Sequence, residues 1–209
     1  VLMSVTKQSW IYTFDRATGE PIWPIEERPV PAGDVPGEWY SSTQPFPTNP
    51  PPFDRQGFTE KDLIDWTPEI RALALEATEG FRLAPSVYSP PSLADAEDGT
   101  RGTLSLPSAT GGANWEGAAI DPETGMIYVP SRTALAVMSL GKDKDSDLDL
   151  SAAFGVRVPR VQGLEIVKPP YGRITAIDMN TGEHQWMIAN ADTPDRIKNH
   201  RLLEGVDIE

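Results

Sequence analysis

Four aspartates at alternate positions, Asp143, Asp145, Asp147 and Asp149, form the densest cluster of oxygen ligands in this 209-residue chain. Carboxylates so spaced suit a hard cation such as calcium, which takes roughly six to eight oxygen ligands. An EF-hand, however, needs Gly at the sixth loop position and Glu at the twelfth; counted from Asp143 those places hold Leu148 and Phe154. The run therefore reads as a solvated acidic loop. Imidazole chemistry is equally thin. The chain has two histidines, His184 and His200, which rules out a three-histidine zinc site, and His184 has no second ligand at a metal-like spacing. The absence of cysteine removes disulfides, thiolate metal sites and cysteine nucleophiles together. Nor is there a Gly-x-Ser-x-Gly elbow or a phosphate-cradling glycine motif, so hydrolase and nucleotide chemistry have no support.

Charge narrows the partners. Eighteen basic against 31 acidic residues leave −13, and no cluster of Lys and Arg forms the basic surface that a nucleic acid requires. The most apolar stretch, Thr133 to Leu140, is far shorter than the roughly 18 residues of a membrane span. Proline is the outlier at 21 of 209 residues, about twice average usage. It is concentrated between Pro21 and Pro52, where periodicity is weak and the chain should run as a loop-like excursion. Trp39, Tyr40 and Phe46 punctuate that excursion, as in an ordered segment rather than a disordered linker.

The regular elements follow from local chemistry. Thr67 as N-cap, Pro68 at the first helical position, and Ile70, Leu73, Ala74 and Ala77 on one face predict a helix that stops near Gly80. Thr59 and Asp62 resemble a capping box ahead of a shorter helix. Elsewhere the pattern is β. Three segments, Trp10 to Trp23, Trp115 to Val129 and Arg173 to Ile188, read as strand, turn, strand, and all three turn on Asp-x-x-Thr-Gly. The Asp side chain accepts from the backbone N–H groups ahead of it, and Gly supplies the positive φ that reverses the chain. Trp23 and Trp186 each stand four residues after the Gly. Repeated hairpins with a periodic aromatic are the mark of propeller blades. Asp15 and Asp178 are 163 residues apart, against roughly 40 to 50 per blade, so residues 24–105 and 132–168 should be insertions.

At this point the chain resembles a known family. Ala176 to Trp186 fits the Ala-x-Asp-x-x-Thr-Gly-x-x-x-Trp docking motif of the pyrroloquinoline-quinone (PQQ) dehydrogenases, whose eight blades are locked together by that tryptophan. The run Gly19 to Pro31, with Val35-Pro36-Gly37-Glu38, Thr43-Gln44-Pro45-Phe46-Pro47 and Pro169-Pro170-Tyr171-Gly172-Arg173, resembles the membrane-type glucose and quinate dehydrogenase branch. The resemblance implies a mainly β chain: about one and a half to two blades of an eight-bladed β-propeller, with a Pro-rich excursion and one or two short helices. Residues 1–23 would close one blade and 24–105 would form the Pro-rich and helical insertion. Residues 106–190 would form the next blade, interrupted at 132–168, and 191–209 would connect onward. On this reading the chain begins inside a strand, Leu2 to Val5, and is a quarter to a third of the whole protein.

The resemblance also assigns chemistry. Lys7 stands where the family places a cation against the quinone oxygens, so it would bind the cofactor and serve catalysis by polarising the carbonyl that receives hydride. Read without the family, Lys7 is a solvated turn residue. Gly111-Gly112-Ala113-Asn114-Trp115 resembles a segment that approaches the cofactor from the next blade, with Asn114 and Trp115 as hydrogen-bonding groups and the glycines permitting close approach. Its plain alternative is the start of a strand with a core tryptophan. The family's calcium ligands, its catalytic carboxylate and the tryptophan that stacks on the cofactor would lie outside this chain, so no metal ligand is assigned within it.

The expectation is thus part of a PQQ-dependent dehydrogenase that oxidises an alcohol, sugar or polyol and passes electrons to a quinone or cytochrome, the chain alone being inactive. The location inherited from the family is the periplasm or the periplasmic face of the inner membrane. The alternative class is a non-catalytic propeller scaffold that binds partner proteins. Lys7 with Asn114-Trp115 favours the enzyme, because a scaffold has no use for a quinone-facing cation. Blade faces left without neighbours should be exposed and apolar, so the chain should associate with copies of itself, aggregate or stay partly flexible.

Overall fold

The structure is a computed structural model that describes residues 1–153 and 155–208. Phe154, the twelfth position of the acidic run, and Glu209, the last residue of the 191–209 segment, lie outside the described residues. The chain opens with a hairpin of β1 (Leu2–Val5) and β2 (Ile11–Phe14), paired antiparallel with Val5 opposite Ile11. The anticipated strand after the first Asp-x-x-Thr-Gly turn shrinks to a single bridge between Phe14 and Pro21. Pro21 and Pro24 lack the N–H that would extend the ladder. Within the Pro-rich excursion, β3 (Ile25–Pro29) and β4 (Thr43–Pro47) form a second hairpin. Phe46 anchors it edge-on against Trp10 and Tyr88, at centroid distances of 6.0 and 5.2 Å, and the Tyr12 and Tyr88 hydroxyls both donate to the Pro45 carbonyl. These contacts explain why a segment so rich in proline is ordered.

The helix α1 spans Pro68–Ala77, and the Thr67 hydroxyl accepts the Ile70 N–H at 3.2 Å. The Thr59–Asp62 motif also forms: the Asp62 carboxylate accepts from the Thr59 N–H and hydroxyl, at 2.8 and 2.9 Å, around one 3-10 turn at Glu60–Asp62. Short strands β5 (Arg82–Leu83), β6 (Ser92–Leu93) and β7 (Thr103–Ser105) come next. After β7 the chain enters β8 (Ala119–Asp121) and β9 (Met126–Arg132), then β10 (Ala136–Gly141) and β11 (Ser151–Ala152). A small hairpin of β12 (Arg160–Val161) and β13 (Leu164–Glu165) leads to the long hairpin of β14 (Gly172–Asp178) and β15 (Glu183–Ala189). A single-turn helix, α2 (Asp195–Lys198), follows in the segment expected only as a connection.

Two sheets dominate. One is a four-stranded antiparallel sheet in the order β8-β9-β14-β15, with β9 and β14 in register from Met126 opposite Asp178 to Arg132 opposite Gly172. The other gathers β5, β7, β10 and β11, with β6 joining β10 in parallel. No closed sheet is present among the described residues, so the architecture is mainly β with few helices. Beneath the four-stranded sheet, Ile11, Phe53, Ala113, Ile127, Val129 and Ile177 are buried together. A second core unites distant segments: Phe58, Leu63 and Ile70 meet Leu104, Val161, Ile166, Ile197 and Leu203. Residues of 24–105, 132–168 and 191–209 thereby share one interior.

Candidate active site

Three identical turns set the frame. In each, the Gly N–H donates to the Asp carbonyl, at 2.9 Å for Gly19 to Asp15, 2.9 Å for Gly125 to Asp121 and 2.6 Å for Gly182 to Asp178. The Asp side chain accepts a backbone N–H two residues on, from Ala17, Glu123 and Asn180 respectively. Gly adopts φ of +80°, +76° and +77°. These hydrogen bonds hold the Asp15 and Asp121 carboxyls below the usual carboxylate range, led by the Thr18 N–H for Asp15 and the Thr124 hydroxyl for Asp121. The turns also meet one another. The Asn180 amide donates to Thr124 O, and the Asn49 amide donates to Thr181 O at 2.8 Å, so an Asn clasps the second and third turns in the same way. Trp23 lies against the third turn, 3.1 Å from the point where a Cβ on Gly182 would stand.

Lys7 occupies the tip of the β1–β2 turn. Thr6 closes that turn, its N–H and hydroxyl both donating to the Trp10 carbonyl, while Ser9 takes φ +72°. Lys7 is exposed, and among the described residues its ammonium has no ion-pair partner. Gly111 and Gly112 pack directly on it. A Cβ on Gly111, whose φ is +91°, would stand 2.7 Å from Lys7 Cα, and one on Gly112 would stand 2.3 Å from Ser9 Oγ. The Gly112 N–H donates to Lys7 O at 3.0 Å, and its carbonyl accepts the Arg132 N–H at 2.7 Å. The space freed by the paired glycines is therefore taken by the Lys7 turn.

Asn114 is half-buried and lines a hollow of about 380 Å³ with Gly111, Gly112, Ser131 and Arg132. Lys7 borders a different hollow, about 250 Å³, with Ser89, Ser105 and Met138. The two hollows share no lining residue, so Lys7 and Asn114 stand in separate spaces. Trp115 is 96% exposed, which overturns the plain expectation of a core indole at the start of a strand. The structure thus brings the Lys7 turn against the Gly-Gly segment that carries Asn114 and Trp115.

Sequence reading missed the buried charge behind this joint. The Asp54 side chain is 1% exposed and lies 3.4 Å from the guanidinium of Arg173, itself 8% exposed. The Thr133 hydroxyl donates to Asp54 Oδ1 at 2.8 Å, and Asp54 Oδ2 is buried without a hydrogen bond among the described residues. Arg55 is nearby, its guanidinium held below its ordinary value by burial and then by the charge of Arg173. The sequence signal was faint, because a lone Asp-Arg pair among prolines gives no sign that Arg173 and Thr133 will meet it.

His184 contacts the Pro51 carbonyl and His200 the Gln162 carbonyl, and among the described residues no three His, Asp or Glu side chains converge as a metal site. Among the described residues no helix is long and apolar enough to cross a membrane. The family model described as "PQQ: Glucose/ethanol/alcohol dehydrogenase, beta-propeller domain" matches residues 1–208. The chain belongs to this family. Among curated relatives of this PQQ family, the quinate/shikimate dehydrogenase (quinone) of Acinetobacter baylyi is 29% identical over 204 residues, covering 88% of this chain and 24% of the relative. The glycerol dehydrogenase large subunit of Gluconobacter thailandicus is 28% identical over 213 residues, 87% of this chain and 27% of its own. Quinoprotein glucose dehydrogenase A of Acinetobacter calcoaceticus is 27% identical over 228 residues, 98% of this chain and 27% of its own. The chain spans about a quarter of the length of these relatives. All three are dehydrogenases by name, as the enzyme reading requires.

Proposed function

We propose that this chain supplies one part of the cofactor site of a PQQ-dependent dehydrogenase that oxidises an alcohol, sugar or polyol. The carrying observation is the joint between Lys7 and Gly111-Gly112, which sets the Lys7 turn against the segment bearing Asn114 and the fully exposed Trp115. These groups suit an anionic, oxygen-rich ring system: Lys7 offers a fixed positive charge, Asn114 a donor and an acceptor, and Trp115 an N–H donor with an open aromatic face. PQQ, when bound, supplies the acceptor for hydride from an alcohol C–H. Lys7 would hold positive charge where electron density grows, a role that needs no proton transfer by this chain.

Calcium and the proton-accepting carboxylate belong, on this reading, to the rest of the protein. The isolated chain is accordingly inactive. In the whole protein the electrons pass to a quinone or cytochrome, and the blade is one of eight at the periplasmic face of a membrane. The uncovered strand β15, with Trp186, Met187 and Ile188 exposed, supports docking on further blades or on copies of itself.

A titration of the 209-residue chain with PQQ, followed by tryptophan fluorescence, tests the site. Weak saturable quenching that disappears in Lys7→Ala and in Asn114→Ala supports the reading. Quenching equal in all three chains would remove these residues from the site, and dye reduction by the isolated chain with PQQ, calcium and an alcohol would overturn its inactivity.

A further inference from the structure

Three consecutive carbonyls of the Lys7 turn accept hydrogen bonds from outside it. The Gly112 N–H donates to Lys7 O at 3.0 Å, the Gln56 side-chain amide to Gln8 O at 2.5 Å and the Phe53 N–H to Ser9 O at 3.0 Å. Two segments therefore clamp the turn, residues 53–56 from one chain segment and Gly111-Gly112 from another. The clamp extends into the side chain: a Cβ on Gly111 would stand 2.7 Å from Lys7 Cα, Cβ and Cγ alike. Backbone and inner methylenes are thus held, and the outer end of Lys7 remains exposed. The turn at the other end of β2 is built differently. Asp15 to Gly19 closes on its own hydrogen bonds, and an added Cβ on Gly19 meets nothing within 4 Å. A turn in this chain does not need outside clamps in order to form.

One buried cluster lies behind both clamps. Asp54, next to Phe53, has a side chain 1% exposed, and its Oδ1 accepts the Thr133 hydroxyl at 2.8 Å. The Arg173 guanidinium reaches both partners, 3.4 Å from Asp54 and donating to Thr133 Oγ1 at 3.3 Å. Thr133 follows Arg132, whose N–H donates to the Gly112 carbonyl at 2.7 Å. On β14, which also carries Arg173, the Thr175 hydroxyl donates to Phe53 O at 2.9 Å. The Asp54 carboxylate thereby ties the segment of one clamp to the end of the strand that holds the other. Apolar residues of similar volume would fill a core at least as well as a buried ion pair, so stability alone does not call for this one. We propose that Asp54, through Thr133 and Arg173, is a positioning residue for Lys7: it keeps both clamps on the turn and so fixes where the ammonium can reach. Charge-assisted hydrogen bonds suit that task because they fix direction as well as distance. The functional consequence rests on reading Lys7 as a cofactor residue, whereas the clamp itself does not.

Amide hydrogen exchange in the cofactor-free chain, followed at single amides, tests the clamps. The Phe53 and Gly112 N–H groups report one clamp each, and the Ile64 N–H, bonded to Ile166 O at 2.9 Å in the other core, is the reference. In Asp54→Asn and in Thr133→Val, Phe53 and Gly112 should both exchange about tenfold faster relative to Ile64. Thr133→Ser keeps the hydroxyl and should stay within about twofold of the natural chain. Acceleration of all three amides alike overturns the proposal, because Asp54 would then serve overall stability. Acceleration of Phe53 without Gly112 overturns it too, because the clamps would be independent. PQQ affinity reads the consequence for Lys7. Asp54→Asn should weaken binding about fivefold where Lys7 is present and leave it unchanged in a Lys7→Ala chain. Equal weakening in both backgrounds overturns the positioning role. A natural chain that binds no PQQ would sink the cofactor reading of Lys7, while hydrogen exchange still decides whether Asp54 holds its turn.

Discussion

At the scale of single residues, two glycines of the same backbone conformation separate turn chemistry from close packing. Gly19 and Gly111 both have positive φ, but a Cβ on Gly19 meets nothing within 4 Å whereas one on Gly111 would lie 2.7 Å from Lys7 Cα. Gly19→Ala should therefore cost about 1 kcal/mol, from the left-handed conformation alone. Gly111→Ala should cost about 3 kcal/mol or more, because backbone must move as well. Urea denaturation of both variants measures the difference, and equal midpoint shifts would mean that the Lys7 turn yields freely. Asp54 makes the complementary prediction. Removing its carboxylate strands the buried Arg173 guanidinium, so Asp54→Ala should lose about 3–5 kcal/mol in the same experiment. That pair could not be read from sequence, since Asp54, Thr133 and Arg173 are brought together only when β9 and β14 are in register. Lys7, Asn114 and Trp115 could be singled out from resemblance, but the resemblance gave no hint that the glycines serve the Lys7 turn or that Trp115 is uncovered.

Elements were legible where their determinants are local. The helix formed where Thr67, Pro68 and the apolar face of Ile70 and Ala74 required it, and the cap now allows a number: Thr67→Ala should lower stability by about 1 kcal/mol, read from the urea midpoint. The three Asp-x-x-Thr-Gly turns were legible for the same reason, and their shared geometry carries a pH dependence. Asp15 and Asp121 have carboxyls lowered by hydrogen bonds to turn N–H and hydroxyl groups. A depressed folded-state value contributes stability above the unfolded-state value and loses it as pH falls through the folded one. Thermal midpoints should accordingly drop as pH falls from the usual carboxylate range through the lowered values, and the Asp15→Asn, Asp121→Asn double variant should drop less steeply. An unchanged slope would show that the turns persist when protonated. What sequence reading missed at this scale arises from contacts between elements: the Asn49 and Asn180 clasps, and the loss of the strand after Gly19, where proline blocks the ladder.

For the whole molecule, the decisive feature is an interior that covers one side of the chain and leaves the other bare. Phe58, Ile70, Leu104, Ile166 and Ile197 draw both excursions and the C-terminal segment into one core, while β15 ends the four-stranded sheet with Trp186 42%, Met187 42% and Ile188 53% exposed. Successive residues of a strand point to opposite faces, so these three leave both faces of the outer strand apolar as well as its hydrogen-bonding edge free. Such an edge is a template for another strand or for an apolar face, the condition expected of a propeller blade without its neighbour. The isolated chain should therefore associate. Sedimentation should show a weight-average mass that rises with concentration, and Trp186→Ser with Ile188→Lys should return the chain to a single mass of 22.9 kDa. A wild-type chain that stays monomeric at all concentrations would mean that the exposed residues of β15 lack enough contiguous area to pair. The proposed cofactor site would then have to be completed by contacts elsewhere on the molecule, with the open turn at Gly19, where an added Cβ would meet nothing within 4 Å, the next surface to test.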